Sequence, residues 1–447
     1  MGVLAVSLLN VAAVASLRNL PLTASYGLWS VLFYIMTALA FFLPVSVVCY
    51  CLSSKHEGGI YRWVGNSFRD PSQAPECNVS GFFSLLSVWL QWLGNVVWYP
   101  TILCFALVSL LPSLAQHQTL LIVCIVALFW LCTLLNCRCM LTSSWIASVG
   151  TMLGTLIPAL LLLLAGIIAW IGGHTTFSKG SSLVPCSLSS WTTWTVLTET
   201  SFAFIGMELA QVHAKYVRDP KITFPRAVLL SAGMILGIYI LGTIALLAIL
   251  PPHEIGAISG LIDVMDRLLH MLYLPSLIPV MSLMLFLGAL STVMSWIIGP
   301  TRGLQIAASE GRLPRSFARI SKEGVPLPLL ITQGCIVTLL TLTYAWGSSV
   351  EEGFWTLTVL ASQSFLMMYL LLFFAGIRLI THRWGKACSF VGLLSTLAML
   401  LIGLIPPPRV ESILFHEVVL MGGLLCCVIS PLILYRNPKR ALAPVEQ

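Results

Sequence analysis

Twelve runs of roughly twenty apolar residues, each closed by a short polar stretch, leave this chain very few folds. Their expected bounds are 3–22, 27–52, 82–111, 119–136, 143–172, 192–214, 225–250, 275–300, 326–346, 355–380, 387–405 and 413–435. Each is long enough to cross a bilayer as a helix, the one open-ended structure that satisfies its own backbone N–H and C=O groups in lipid. Composition agrees, with 58% hydrophobic residues, 9% charged residues and a mean hydropathy of +0.95. The expected fold is therefore an all-α polytopic membrane protein with twelve transmembrane helices. Residues 1–22 have neither a basic start nor a small-residue cleavage site, so no secretory peptide is expected.

Charge tests the count. With a cytoplasmic N-terminus, nineteen of the 23 Lys and Arg residues fall in cytoplasmic segments. Lys179, Arg267 and Arg409 fall outside, and Arg18 lies within the first run. Basic residues favour the cytoplasmic side, so this split supports twelve spans with both termini inside. It also accounts for the net charge of +7 without any nucleic-acid partner. The 13 cysteines sit mostly singly in apolar runs, where they act as small hydrophobes. None has the spacing of a metal site, and no metal or cofactor is expected. The stretch Ile255–Tyr273 is amphipathic and reads either as a short helix over the external mouth or as an interfacial connector.

Two runs are interrupted. The first carries Ser16, Leu17, Arg18 and Asn19 before Pro21, which removes a backbone donor and loosens the helix near 16–20. The sixth carries Ile205-Gly206-Met207-Glu208, a glycine beside an acid inside the apolar run. Interruptions five spans apart are what two inverted five-helix units produce. Open helix ends offer N–H groups to a carboxylate and carbonyls to an ammonium, which suits an amino acid. A buried arginine needs a partner or water, and for Arg18 the candidates are the substrate, Glu208 and Glu199. Glu208, Glu199 and His213 are the candidate proton-coupling groups.

Met294 to Pro328 reads M-S-W-I-I-G-P-T-R-G-L-Q-I-A-A-S-E-G-R-L-P-R-S-F-A-R-I-S-K-E-G-V-P-L-P. This string resembles the eighth-span region of the amino acid–polyamine–organocation superfamily and, within it, the bacterial glutamate/γ-aminobutyrate antiporters. The same likeness covers Gly206-Met207-Glu208-Leu209 with Arg218-Asp219-Pro220 and Pro225, and Glu57-Gly58-Gly59-Ile60-Tyr61. It implies two inverted five-helix repeats (residues 1–172 and 173–380) followed by two trailing helices and a short basic tail (381–447). It also implies a bacterial inner membrane and a solute site between the broken first and sixth spans, completed by the third, eighth and tenth. By that likeness Glu208 is the acid at the sixth-span break, Ser295-Trp296 carries the ring covering the path, and Phe365 and Tyr369 are tenth-span aromatics.

The departures bear on the solute. Where those antiporters carry a tyrosine in the first break this chain has Arg18, with Asn19 for the neighbouring acid and Thr292 for an acid of the eighth span. The tail after Tyr435 is short, so no cytoplasmic plug is expected. A more positive cavity suits an acidic or zwitterionic amino acid. The expected function is amino acid antiport by alternating access, with amino acid, counter-substrate and lipid bilayer as partners. Proton-coupled uptake of a neutral amino acid is the alternative within transport. A membrane enzyme or solute sensor is the alternative outside it, but no catalytic cluster or soluble signalling domain is visible. Nothing in the sequence specifies an oligomeric state.

Overall fold

The computed structural model describes residues 2–54, 58–69, 78–138, 150, 152–173, 190–210, 220–322, 324–407 and 410–436. Among these, every regular element is helical. In chain order the principal helices are α1 (Val3–Val14), α2 (Asn19–Ala24), α3 (Trp29–Ser53), α4 (Gly59–Ser67), α5 (Asn78–Leu110), α6 (Gln118–Arg138), α7 (Met152–Ile171) and α8 (Val196–Ala203). There follow α9 (Met207–Ala210), α10 (Pro220–Ile249), α11 (Gly260–Met271), α12 (Ile278–Ser309), α13 (Leu327–Thr341), α14 (Val350–Leu379), α15 (Arg383–Ile402) and α16 (Ile413–Leu434). Ten of the described helices are long and apolar enough to cross a membrane: α3, α5, α6, α7, α10 and α12 to α16. The chain is a multi-pass all-α membrane protein.

Two segments are broken in mid-course. α1 stops at Val14, Ala15 turns to an extended ψ of 118°, and α2 restarts at Asn19. The break falls slightly before the expected 16–20 because Pro21 sits in the first turn of α2, where its missing N–H has no intrahelical partner to lose. α8 ends at Ala203, and α9 restarts at Met207 after Gly206 takes a φ of +116°, a conformation that costs glycine little. The halves then cross-pair, α1 packing on α9 and α2 on α8.

We call the membrane side on which α1 begins the near side, and the other the far side. α5 runs through the middle, packed along both α12 and α14. Close approach elsewhere depends on glycine: a Cβ on Gly288 of α12 would lie 2.5 Å from the Gly154 Cα of α7. α15 and α16 are peripheral and present Leu394, Leu401, Leu414 and Leu425 outward, as a lipid-facing surface requires.

On the near side, two segments singled out in the sequence meet. The Tyr61 hydroxyl donates to Glu310 at 2.5 Å, and Arg62 reaches the same carboxylate at 2.7 Å. Burial and this acceptor push the Tyr61 phenol above its ordinary range. On the far side the amphipathic stretch Ile255–Tyr273 contains α11, with Leu261, Val264 and Leu268 buried. Burial also raises the Asp263 carboxyl, opposed by the Ser259 hydroxyl donating at 2.6 Å.

Candidate functional site

Both breaks open onto one shared cavity. Val14, Ala15, Ser16 and Asn19 line it from the first break, and Phe202 and Ile205 from the second. Asn95 and Trp98 of α5, Thr292 and Trp296 of α12, and Phe365 of α14 complete the wall. Four rings dominate: Trp98 lies 6.0 Å from Trp296, and Phe202 6.2 Å from Phe365, centre to centre. Phe365 comes this close to α5 because Gly94 has no side chain, and a Cβ there would meet the ring at 2.8 Å.

The unwound backbone is held by two tyrosines. The Tyr239 hydroxyl accepts from the Ser16 N–H at 3.0 Å and lies 2.9 Å from the Ala203 carbonyl and 3.2 Å from that of Val14, so one side chain ties both breaks together. The Tyr369 hydroxyl accepts from the Gly206 N–H at 3.2 Å and donates to Glu208. Glu208 also accepts from Gln91 Nε2 at 3.1 Å. Backbone groups at a helix break in lipid have no water to turn to, so these contacts are what make the breaks tolerable.

α5 serves as a ruler for the charged groups. Gln91 marks the level of Glu208, Asn95 and Trp98 the level of the cavity, and Thr101 the level of Arg18. Ten residues of helix separate Gln91 from Thr101, a rise of about 15 Å. α14 repeats the order in reverse, with Phe354 beside Arg18, Phe365 in the cavity wall and Tyr369 on Glu208. Arg18 therefore stands on the far side of the cavity and Glu208 on the near side. Neither is the other's partner, and among the described residues Arg18 forms no salt bridge.

Of the residues singled out in the sequence, Ser16, Asn19, Ile205, Trp296 and Phe365 line the cavity. Arg18, Glu208 and Tyr369 flank it. Leu17, Gly206, Met207 and Ser295 belong to the same elements without lining it; the Ser295 hydroxyl donates to its own helix, to the Ser291 carbonyl at 2.8 Å. Glu199 is buried in α8 outside the lining, and His213 lies outside the described residues. Sequence reading missed Gln91, Asn95, Trp98 and Thr101. Their spacing of four, three and three residues puts a polar and aromatic stripe on one face of an apolar span, which was the available signal.

The amino acid permease family matches residues 1–421 of the chain. Over its whole length the chain is 32% identical to an uncharacterized transporter of Legionella pneumophila, covering 98% of that protein. It is 24% identical to a glutamate/gamma-aminobutyrate antiporter of Lactococcus lactis, across 98% of this chain and 91% of that one. It shares its fold with MhsT, solved in complex with L-phenylalanine, at a TM-score of 0.58 and 16% identity, covering 89% of this chain and 97% of MhsT.

Proposed function

Because the chain belongs to the amino acid permease family, within the amino acid–polyamine–organocation superfamily, and is an amino acid transporter rather than an enzyme, we propose that it exchanges amino acids across a bacterial inner membrane by alternating access. The observation that carries this reading is the cavity shared by both breaks. A zwitterion suits it, since helix ends present N–H groups to a carboxylate and carbonyls to an ammonium, with Tyr239 and Tyr369 holding the Ser16 and Gly206 N–H groups at these breaks. In this reading Ser16, Leu17, Arg18 and Asn19 form one side of the substrate site, and Ile205, Gly206, Met207 and Glu208 the other. Ser295, Trp296, Phe365 and Tyr369 close the path between them, with an acidic or zwitterionic amino acid as the solute.

The two broken segments added to the ten long helices make twelve spans. Residues 1–172 and 173–380 are then inverted five-helix repeats, and 381–447 holds the trailing helices and tail. The cross-pairing of α1 with α9 and α2 with α8 supports that symmetry. The distribution of basic residues supports cytoplasmic termini, which makes the near side the cytoplasm. Exchange, as opposed to uptake, is supported by the likeness to the lactococcal antiporter.

One observation favours a second reading. Every side chain lining the cavity is uncharged, which suits a neutral amino acid taken up with a proton carried by Glu208. Proteoliposomes separate the two readings. Labelled amino acid should enter vesicles preloaded with counter-substrate and stay out of empty ones. Accumulation in empty vesicles under an imposed pH gradient would replace exchange with proton coupling, and no transport of any of the twenty amino acids would end both.

A further inference from the structure

Arg18 is 1% exposed, deep in the helical bundle, and is held only by neutral groups. Nη1 donates to Thr101 Oγ1 at 2.5 Å and Nη2 to Asn19 Oδ1 at 3.3 Å, while Nε has no partner. A guanidinium carries five N–H donors, so most of its capacity is unused, including that for a two-pronged carboxylate contact. Three rings surround the charge, Phe202 and Phe354 at 5.3 Å and Trp98 at 5.9 Å. They soften its burial without neutralising it.

The guanidinium also stands one side chain behind the cavity. Asn19, Trp98 and Phe202 touch Arg18, and the same three residues line the cavity. The partition between the cation and the solute space is therefore made of side chains that turn about their own χ angles. A buried cation lacking a countercharge is unfavourable until an anion reaches it. Two sources offer that chemistry, a carboxylate of the solute and an inorganic anion such as chloride. The solute is favoured because the thin partition faces the cavity. A helix end is the general place for an α-carboxylate, which leaves a side-chain carboxylate for Arg18.

We propose that Arg18 determines specificity by receiving the side-chain carboxylate of an acidic amino acid, so that the transporter moves acids in preference to their amides. This rests on the amino acid exchange reading and names its substrate class. The test is uptake of labelled L-glutamate, L-aspartate, L-glutamine and L-asparagine into proteoliposomes preloaded with all four. The wild type should prefer each acid over its amide by about tenfold or more in kcat/KM, the effect of a hydrogen bond to a charged group. Arg18→Gln should shrink that ratio by about the same factor, and Arg18→Lys should recover part of it, since an ammonium keeps the charge and loses the fork.

An unchanged ratio in Arg18→Gln, or a wild-type preference for amides, overturns the assignment and leaves amino acid exchange standing. If Arg18→Gln fails to fold, the Arg18→Lys ratio decides: full wild-type selectivity for acids speaks against two-pronged recognition, and a reduced ratio supports it. Replacing chloride by gluconate provides the third arm. A fall in uptake of acids and amides alike in the wild type but not in Arg18→Gln would assign the site to an inorganic anion and overturn the proposal. A wild type that exchanges none of the four, while exchanging other amino acids, would sink the substrate class alone.

Discussion

Glu208 and Arg18 flank the same cavity at nearly the same burial, 3% and 1% exposed, and are settled in opposite ways. The acid is surrounded by donors of the protein itself, the Gln91 amide and the Tyr369 hydroxyl, and the latter is fixed in turn by the Gly206 N–H. The cation has one short neutral contact, one long one, and three rings. The near-side charge belongs to a completed network, and the far-side charge to an incomplete one. On the proposed reading, the completed network fixes a backbone break in place and the incomplete one receives the solute.

The largest expected effect tests that contrast directly. Glu208→Ala leaves two buried donors without an acceptor and opens a void, and should lower stability by about 3–5 kcal/mol and abolish exchange. Arg18→Met, which removes an unpaired charge and keeps most of the side-chain volume, should change stability by no more than about 1 kcal/mol. Denaturation midpoints in detergent, measured for both variants, decide it. Equal losses would mean that Arg18 is as well satisfied as Glu208, and the contrast would be gone.

Tyr369→Phe probes the acid's side more gently. It removes the donor to Glu208 and the acceptor of the Gly206 N–H while keeping the ring, at an expected loss of about 1.5–3 kcal/mol. Because Glu208 keeps Gln91, exchange should fall and not vanish, with a changed dependence on pH. A flux identical to wild type from pH 5 to 8 would detach this network from transport.

How much of this was legible in advance follows from what each feature depends on. The two breaks and Glu208 stand out in sequence because polar and helix-breaking residues are rare in apolar runs, and a break is a local matter. Whether Arg18 meets Glu208 is not local. It depends on the rise of α5 and α14 between the two, which only the contacts of those helices with Arg18 and Glu208 reveal. Tyr369 and Phe365 show the same limit. They look like one aromatic pair in sequence, yet the step of four positions from one to the other, about 6 Å of helix, puts Phe365 in the cavity wall and Tyr369 on Glu208. The stripe of Gln91, Asn95, Trp98 and Thr101 was readable from periodicity alone, but it carries no charge and no break to draw notice.

The smallest expected effect is the most discriminating. Thr101→Val replaces the hydroxyl nearest Arg18 by a methyl of similar shape, and that hydroxyl also donates to the Trp98 carbonyl at 2.8 Å. Measured as a stability change, the loss should be about 0.5–1.5 kcal/mol, the net value of an ordinary hydrogen bond. Its effect on binding should have the opposite sign for acidic solutes. Thr101 engages one Nη1 donor, so removing it adds one more to the donors that Arg18 can turn toward a carboxylate. Affinity for an acidic amino acid should then rise about two- to fivefold while affinity for the amide stays level, as read by thermal shift of the purified variant over a concentration series. A parallel fall for acid and amide would instead mean that Thr101 holds Arg18 in the orientation that binding requires, making the far-side network preorganised and as complete as the near-side one.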